Sequence, residues 1–298
     1  NGYGFARAGL LGDNYRVNTI NLKQVEEIPG DAAVLIIAGP KNSFLADERA
    51  KIQEYLENGG QALFLLDDGI STQLNSLLNK WGVDLPNGTI VDIASSTVND
   101  ARTPIIRKGS YNSQHPVTKP LDDTFFIEAT SVSDIIKRSP EGLPPNPDEI
   151  NISLTPLAAT SLVSCITTES DASDCGGPND VFGPFAVAMS VEAVAMIGQE
   201  TPGLEKGKEL PVAEMIIFGD SDFASNKYYF ALNNSDLFLN AVGWLAQKYD
   251  LISIRAKPTA FRLLVLDQKE YDFIRYSSWF LLPAGIMLLA GIAWWRRR

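Results

Sequence analysis

The sequence predicts an α/β protein: a mostly parallel sheet with flanking helices, an irregular β-rich insertion, and one C-terminal transmembrane helix. Three observations carry that reading. In the first third, short continuous apolar runs alternate with stretches of helical periodicity. The same alternation returns after residue 185. From Tyr276 to Trp295 no residue is charged, and three arginines follow.

Residues 1–88 read as the first part of the α/β domain. Tyr15 to Leu22 alternates and predicts a strand. Ala33 to Ala38 is a continuous apolar run closed by Gly39-Pro40, as a buried parallel strand would be. Ser43 is placed to cap the next helix, Asp47 and Glu48 suit its first turn, and Ile52, Tyr55 and Leu56 share one face. Asn58-Gly59-Gly60 stops it. Ala62 to Leu66 predicts a second buried strand, ending in Asp67-Asp68-Gly69. A helix to Trp81 follows, with Leu74, Leu77, Leu78 and Trp81 on one face. Strand, helix, strand, helix with short loops implies parallel pairing through right-handed crossovers.

Residues 89–184 read as the insertion, rich in Ser, Thr, Pro and Asn, and as a candidate partner surface. Thr124 to Ala129 alternates, whereas Ser139 to Pro147 holds four prolines and reads as a loop. Residues 185–250 read as the second part of the α/β domain. Phe185 to Val191 and Ala213 to Phe218 predict strands, the latter leading into Gly219-Asp220-Ser221-Asp222. Asp236 is placed to cap a helix through Phe238, Leu239, Val242, Trp244 and Leu245 to Lys248. In the juxtamembrane segment 251–275, Leu251 to Arg255 and Ala260 to Leu266 are strand-like.

The span covers 276–295, about the 20 residues that cross a bilayer core. Tyr276 and Trp279 at one end, and Trp294 and Trp295 at the other, form interfacial belts. Arg296, Arg297 and Arg298 make a basic tail (296–298) that belongs in the cytoplasm, so the main domain is expected on the extracytoplasmic side. The chain opens at Asn1 with no leader, so a signal peptide or anchor is expected to have been removed or to lie outside it.

The net charge is −11, and without the last three arginines 22 basic face 36 acidic residues, or −14. Such a domain is not built for nucleic acid. The two cysteines, Cys165 and Cys175, flank a short polar loop. In an oxidising compartment they would close it as a disulfide. A metal pair would need further ligands, and His115 is the only histidine.

Asp67, Asp68, Asp220 and Asp222 fall at the predicted carboxyl ends of parallel strands, where open α/β sheets bind ligands. Converging carboxylates could hold Ca²⁺ or Mg²⁺; alternatively they close turns and cap helices, and their spacing matches no calcium loop. Ser221 sits in a strand–turn–helix context like a nucleophile elbow, but Phe223 replaces the final glycine and the one possible base, His115, precedes it. Gly203 to Glu209 has a P-loop look with spacing one residue short and Glu209 in place of Ser/Thr, which excludes an ATPase. No cofactor is expected, and catalysis is not.

Several blocks together carry a resemblance: Ala33 to Lys41, Leu45 to Leu56, Glu57 to Asp67, His115 to Leu121, Ile217 to Asn226, Asn233 to Leu245, Leu251 to Arg255, and the terminal Trp294 to Arg298. In order and combination they are similar to the GldG-like family, the gliding-motility-type auxiliary proteins of ABC transporters. The resemblance implies a flavodoxin- or amidotransferase-like domain outside the bacterial inner (cytoplasmic) membrane, anchored in the lipid bilayer by terminal helices. It implies the transporter's permease and ATPase subunits as partners, with another membrane complex as the alternative. The chain departs from the pattern in lacking an N-terminal anchor and in carrying the Cys165–Cys175 loop.

Overall fold

The apolar runs Ala33 to Ala38 and Ala62 to Leu66 become neighbouring strands because each is followed by a segment that can cover them. In the computed structural model, which describes residues 2–68, 74–98, 100–136, 151–169, 174–177, 180–194, 212–247 and 264–297, helix α1 (Gly4–Gly12) opens the chain. Then come β1 (Leu35–Ala38), α2 (Ala46–Glu57), β2 (Gln61–Leu65) and α3 (Asn75–Leu78), the last prolonged by a 3-10 turn to Trp81. Helix α2 is started not by Ser43 but by Glu48, whose carboxylate accepts the Leu45 N–H at 2.7 Å.

Short strands follow: β3 (Val83–Asp84), β4 (Thr89–Val91), β5 (Ser96–Thr97), β6 (Asp100–Ile106), β7 (Thr124–Phe125) and β8 (Ser133–Asp134). After them come β9 (Ile152–Ala159), β10 (Cys165–Thr167), β11 (Val181–Phe182), β12 (Ala186–Val194) and β13 (Val212–Phe218). Helix α4 is Asn234–Leu245, and α5 (Gln268–Tyr276), a π turn (Ser277–Leu281) and α6 (Leu282–Arg296) form one continuous rod.

The main sheet has the order β1-β2-β13-β12-β9. Its β1/β2 and β2/β13 pairs are parallel, while β13/β12 and β12/β9 are antiparallel. The sheet is therefore mixed rather than mostly parallel. A parallel pair needs a long crossover, usually helical. Between β9 and β12 the described residues form β10 and β11 instead, so the chain returns antiparallel. The small sheets β11-β10-β4, β3-β8 and β5-β6-β7 are antiparallel throughout.

Each face of the main sheet has its own core. Leu63, Leu65, Ile216 and Phe218 pack with residues of α1 and α4 on one face. Phe64, Met215 and Ile217 pack with Ile52 and Leu56 of α2 and with Leu74, Leu77, Leu78 and Trp81 on the other. The stretch Tyr15 to Leu22 is not a strand: its chain runs as coil, with Tyr15 and Val17 against the first core and Ile20 and Leu22 against the second. Two-sided packing explains its alternation without a ladder.

Only Thr124–Phe125 of the Thr124 to Ala129 run pairs as strand. Helix α4 starts before Asp236, which lies in its first turn. The buried Asn234 side chain accepts the Phe125 N–H at 3.1 Å and donates to the Phe125 carbonyl at 3.1 Å, sewing α4 to β7. Leu264 to Leu266 are not strand, and the expectations on 251–263, on Ser139 to Pro147, on Gly203 to Glu209, and at Gly69, Lys248 and Arg298 lie outside the described residues.

Gly219 is the tightest backbone position of the sheet, since a Cβ there would lie 2.0 Å from the Thr130 carbonyl oxygen. Gly12 has nothing within 4 Å of the same added atom. Gly219→Ala is expected to cost about 3 kcal/mol or more in chemical denaturation, and Gly12→Ala about 0.5 kcal/mol or less. Equal stabilities of the two variants would refute the packing assigned to Gly219.

Candidate functional site at the carboxyl edge of the sheet

Strands β2 and β13 lie side by side and parallel, yet they send the chain to opposite faces. After β2 the chain reaches Leu74 and α3 on one core, and after β13 it reaches Phe223 and α4 on the other. Such a divergence opens a crevice at the carboxyl ends of the strands, where ligands of open α/β sheets bind.

Here the crevice is bridged from within. Asp67, two residues beyond β2, accepts the Ser221 backbone N–H at 2.6 Å and the Ser221 hydroxyl at 2.9 Å. Lys41, in the loop after β1, donates to the same carboxylate at 3.0 Å. Tyr3 reaches Ser221 from the start of the chain, and its burial pushes the phenol up to about 12. Gly39 adopts φ +52°, and a Cβ there would come within 2.5 Å of the Tyr3 hydroxyl and 2.7 Å of Ser221 Oγ. Glycine is needed at that position both for its conformation and for the close approach.

Asp67, Asp220 and Asp222 lie close enough to act on one another electrostatically, but Asp67, Asp68 and Asp220 bond different donors. Asp68 turns away and accepts the Gly88 N–H at 2.8 Å and the Thr89 hydroxyl at 3.1 Å. Asp220 is 1 % exposed and accepts the backbone N–H groups of Ile127 at 2.9 Å and of Asp222 at 2.7 Å. Burial holds its carboxyl well above the ordinary carboxylate range, against the pull of those two donors. Asp222 sits in the first turn of a 3-10 helix. Among the described residues no group of three or more His, Cys, Asp or Glu side chains is placed to hold a metal ion.

The elbow-like Ser221 is 1 % exposed and donates to Asp67, so the structure does not pair it with His115. His115 is buried elsewhere, its ring 5.0 Å from that of Trp244 and its Nδ1 accepting the Val117 N–H at 3.3 Å. Sequence reasoning missed Tyr3 and Lys41. Lys41 had a signal, since it lies directly beyond the Gly39-Pro40 that ends the first apolar run.

Cys165 and Cys175 are joined as a disulfide with Cα atoms 5.8 Å apart. It lies beside the β10–β11 pairing, where Cys165 faces Phe182. At the other end of the chain the rod Gln268–Arg296 has 29 residues, is long and apolar enough to cross a membrane, and has none of its apolar window buried. Tyr276, Trp279, Trp294 and Trp295 are all exposed on it.

The fold and this edge define a class: an α/β domain with a self-bridged sheet edge, carried on one long apolar helix. Residues 5–241 match the family described as ABC-type uncharacterized transport system, and the chain belongs to that family of auxiliary components. Among solved structures, the mmIFT52 N-terminal domain is similar at 16 % identity, over 83 % of this chain and 91 % of that one, with a TM-score of 0.53. That likeness is one of fold. A ThuA-like protein from Bacteroides uniformis aligns over 81 % of each chain at 14 % identity, with a TM-score of 0.39. No curated protein matches the sequence.

Burial lowers the His115 imidazole from 6.5 to about 4. The unfolded chain therefore takes up a proton that the folded chain refuses between those pH values, and stability falls as pH drops from about 6.5 to about 4. As the single histidine, it should give one imidazole NMR titration with a midpoint near 4; a midpoint near 6.5 would contradict the burial described. His115→Gln should flatten that part of the acid dependence.

Proposed function

We propose that this chain is a non-catalytic, membrane-anchored auxiliary subunit of an ABC-type transport system, of the GldG-like kind. Its acidic domain lies outside the bacterial cytoplasmic membrane and binds the transporter's membrane subunit. The family match over residues 5–241 is the observation that carries this reading. The terminal arginines behind the exposed apolar rod support a cytoplasmic C-terminus. The disulfide supports an oxidising compartment for the domain.

A non-catalytic role is supported by the edge itself. Ser221 is buried and bonded to Asp67, and Asp68 and Asp220 are spent on backbone and hydroxyl donors. Among the described residues one helix is long and apolar enough to cross a membrane, and it supplies no transport path by itself; substrate passage and ATP hydrolysis are assigned in this reading to other subunits. For partner binding, stretch 89–184 offers exposed Ile93, Leu162, Val163, Val181 and Phe182, of which Phe182 pairs with Cys165 and Val163 lies against Cys175. Exposed apolar side chains of this kind support a reading of the stretch as an interaction surface.

The test is gentle detergent extraction of the tagged full chain and identification of every subunit that comes with it. An ATPase and a multi-span permease are expected in stoichiometric yield; an intact native complex with neither would overturn the proposal. Phe182→Ser, on an exposed side chain, should lower permease recovery by about tenfold, the effect of about 1.4 kcal/mol, without moving the melting temperature.

A further inference from the structure

At the mouth of the β2/β13 crevice, Ser221 and Lys41 assemble the donors that recognise a carboxylate, and we infer that this crevice is a carboxylate-binding site occupied in the resting chain by Asp67. Both Asp67 oxygens are used: one takes the Ser221 N–H at 2.6 Å, the other the Ser221 O–H at 2.9 Å and the Lys41 ammonium at 3.0 Å. A backbone N–H, a hydroxyl and a cation on one carboxylate make a charge-assisted set. The donors come from loops after β1 and β13 and the acceptor from the loop after β2, so three neighbouring strand ends meet on one anion.

The cradle is built rather than incidental. With Asp67 in place Ser221 is 1 % exposed, and the carboxylate meets both its N–H and its O–H. Tyr3 and Gly39 form the wall behind it, and the missing Cβ of Gly39 leaves the room that the Tyr3 and Ser221 hydroxyls fill. Asp67 is thus a tethered ligand at the position where related sheets receive a separate molecule. Tethering gives it a high effective concentration, so an outside carboxylate enters only where Asp67 is displaced or absent. The chemical class is a small monocarboxylate: formate replaces the group lost in Asp67→Ala, and acetate the one lost in Asp67→Gly.

The experiment is thermal unfolding of the full chain in detergent, with sodium formate or sodium acetate titrated against sodium chloride at equal ionic strength. Asp67→Ala should melt lower than the native chain, and formate should restore at least half of the loss, saturating at about 1–50 mM, the reach of a three-atom ligand. Acetate should do the same for Asp67→Gly. The native chain and the double variant Asp67→Ala, Ser221→Ala should not respond. Recovery equal in chloride, or none in a folded variant, would overturn the inference. Should Asp67→Ala not fold alone, refolding from denaturant reads the same competition: formate-dependent recovery supports the site, and formate-independent failure overturns it.

Discussion

The carboxyl edge of this domain depends on how β13 leaves the sheet at Gly219. Its N–H donates to the Val187 carbonyl at 3.0 Å, and its carbonyl accepts the Thr130 N–H at 2.7 Å. That second bond brings the 124–134 segment against the end of a central strand, closer than any side chain would permit. From there the next two residues are aimed in different directions. Asp220 points inward to the Ile127 N–H, and Ser221 points across to Asp67. Burying a carboxyl group is costly, and the two N–H groups on Asp220 offset only part of that cost, since burial still holds it well above the ordinary carboxylate range. Thr130, in turn, donates its hydroxyl to the Pro86 carbonyl at 2.8 Å, so the constraint passes on to the loop before β4.

This geometry explains why an acidic edge need not mean a cation site. Four aspartates at strand ends look alike in sequence, but their fates are set by the nearest unmet donor. Asp68 finds Gly88 and Thr89, Asp220 finds two backbone amides, and Asp67 finds Ser221. Asp92, deeper still and fully buried, accepts from Ala94, Ser95 and Ser161 and holds the start of the disulfide-bearing loop. In each case a carboxylate stands in for missing secondary structure, bonding backbone groups that turns leave unpaired.

The same logic separates what was legible in the sequence from what was not. β1, β2 and β13 were legible as short continuous apolar runs, and α2 and α4 by apolar residues at helical spacing, Ile52 and Leu56 in α2. The apolar rod was legible because no charged residue falls between Tyr276 and Trp295, a length and composition able to cross a membrane. β12 was legible as the Phe185 to Val191 run, but β9 and the antiparallel pairing were not, since β9 carries Thr155 and Pro156 among its apolar residues and pairing direction leaves no mark on composition. Helix α1 was hidden by Gly4, Gly9 and Gly12, although Gly9 is what lets it lie against Tyr229, whose hydroxyl would be 2.3 Å from an added Cβ. Strands of two residues, such as β3 and β11, are too short to show any period. Of the site, the aspartates and Ser221 were visible as strand-end residues, while Tyr3 arrives through tertiary packing that no local pattern announces.

The junction of domain and rod is fixed by an arrangement of the same kind. Arg107 donates to Asp123 at 2.8 Å through one terminal nitrogen and to Asp267 at 2.5 Å through the other. Asp267 also caps α5, accepting the Glu270 N–H at 2.8 Å, and Val98 donates its N–H to the Leu266 carbonyl at 2.9 Å. Val265 packs beside Ile105, Phe125 and Ala231. Partly exposed ion pairs each contribute little to stability. Their value here is directional: one guanidinium binds both Asp123, just before β7, and Asp267, the N-cap residue just before the rod. From Gln268 to Tyr276 the rod rises only about 13 Å at 1.5 Å per residue, so the clamp sets the domain within a few turns of the apolar stretch. Between Tyr276 and Trp295 the rod carries no charged residue, so the groups that can fix its orientation lie at the Arg107 end and among the aromatic and arginine residues that bound the apolar stretch.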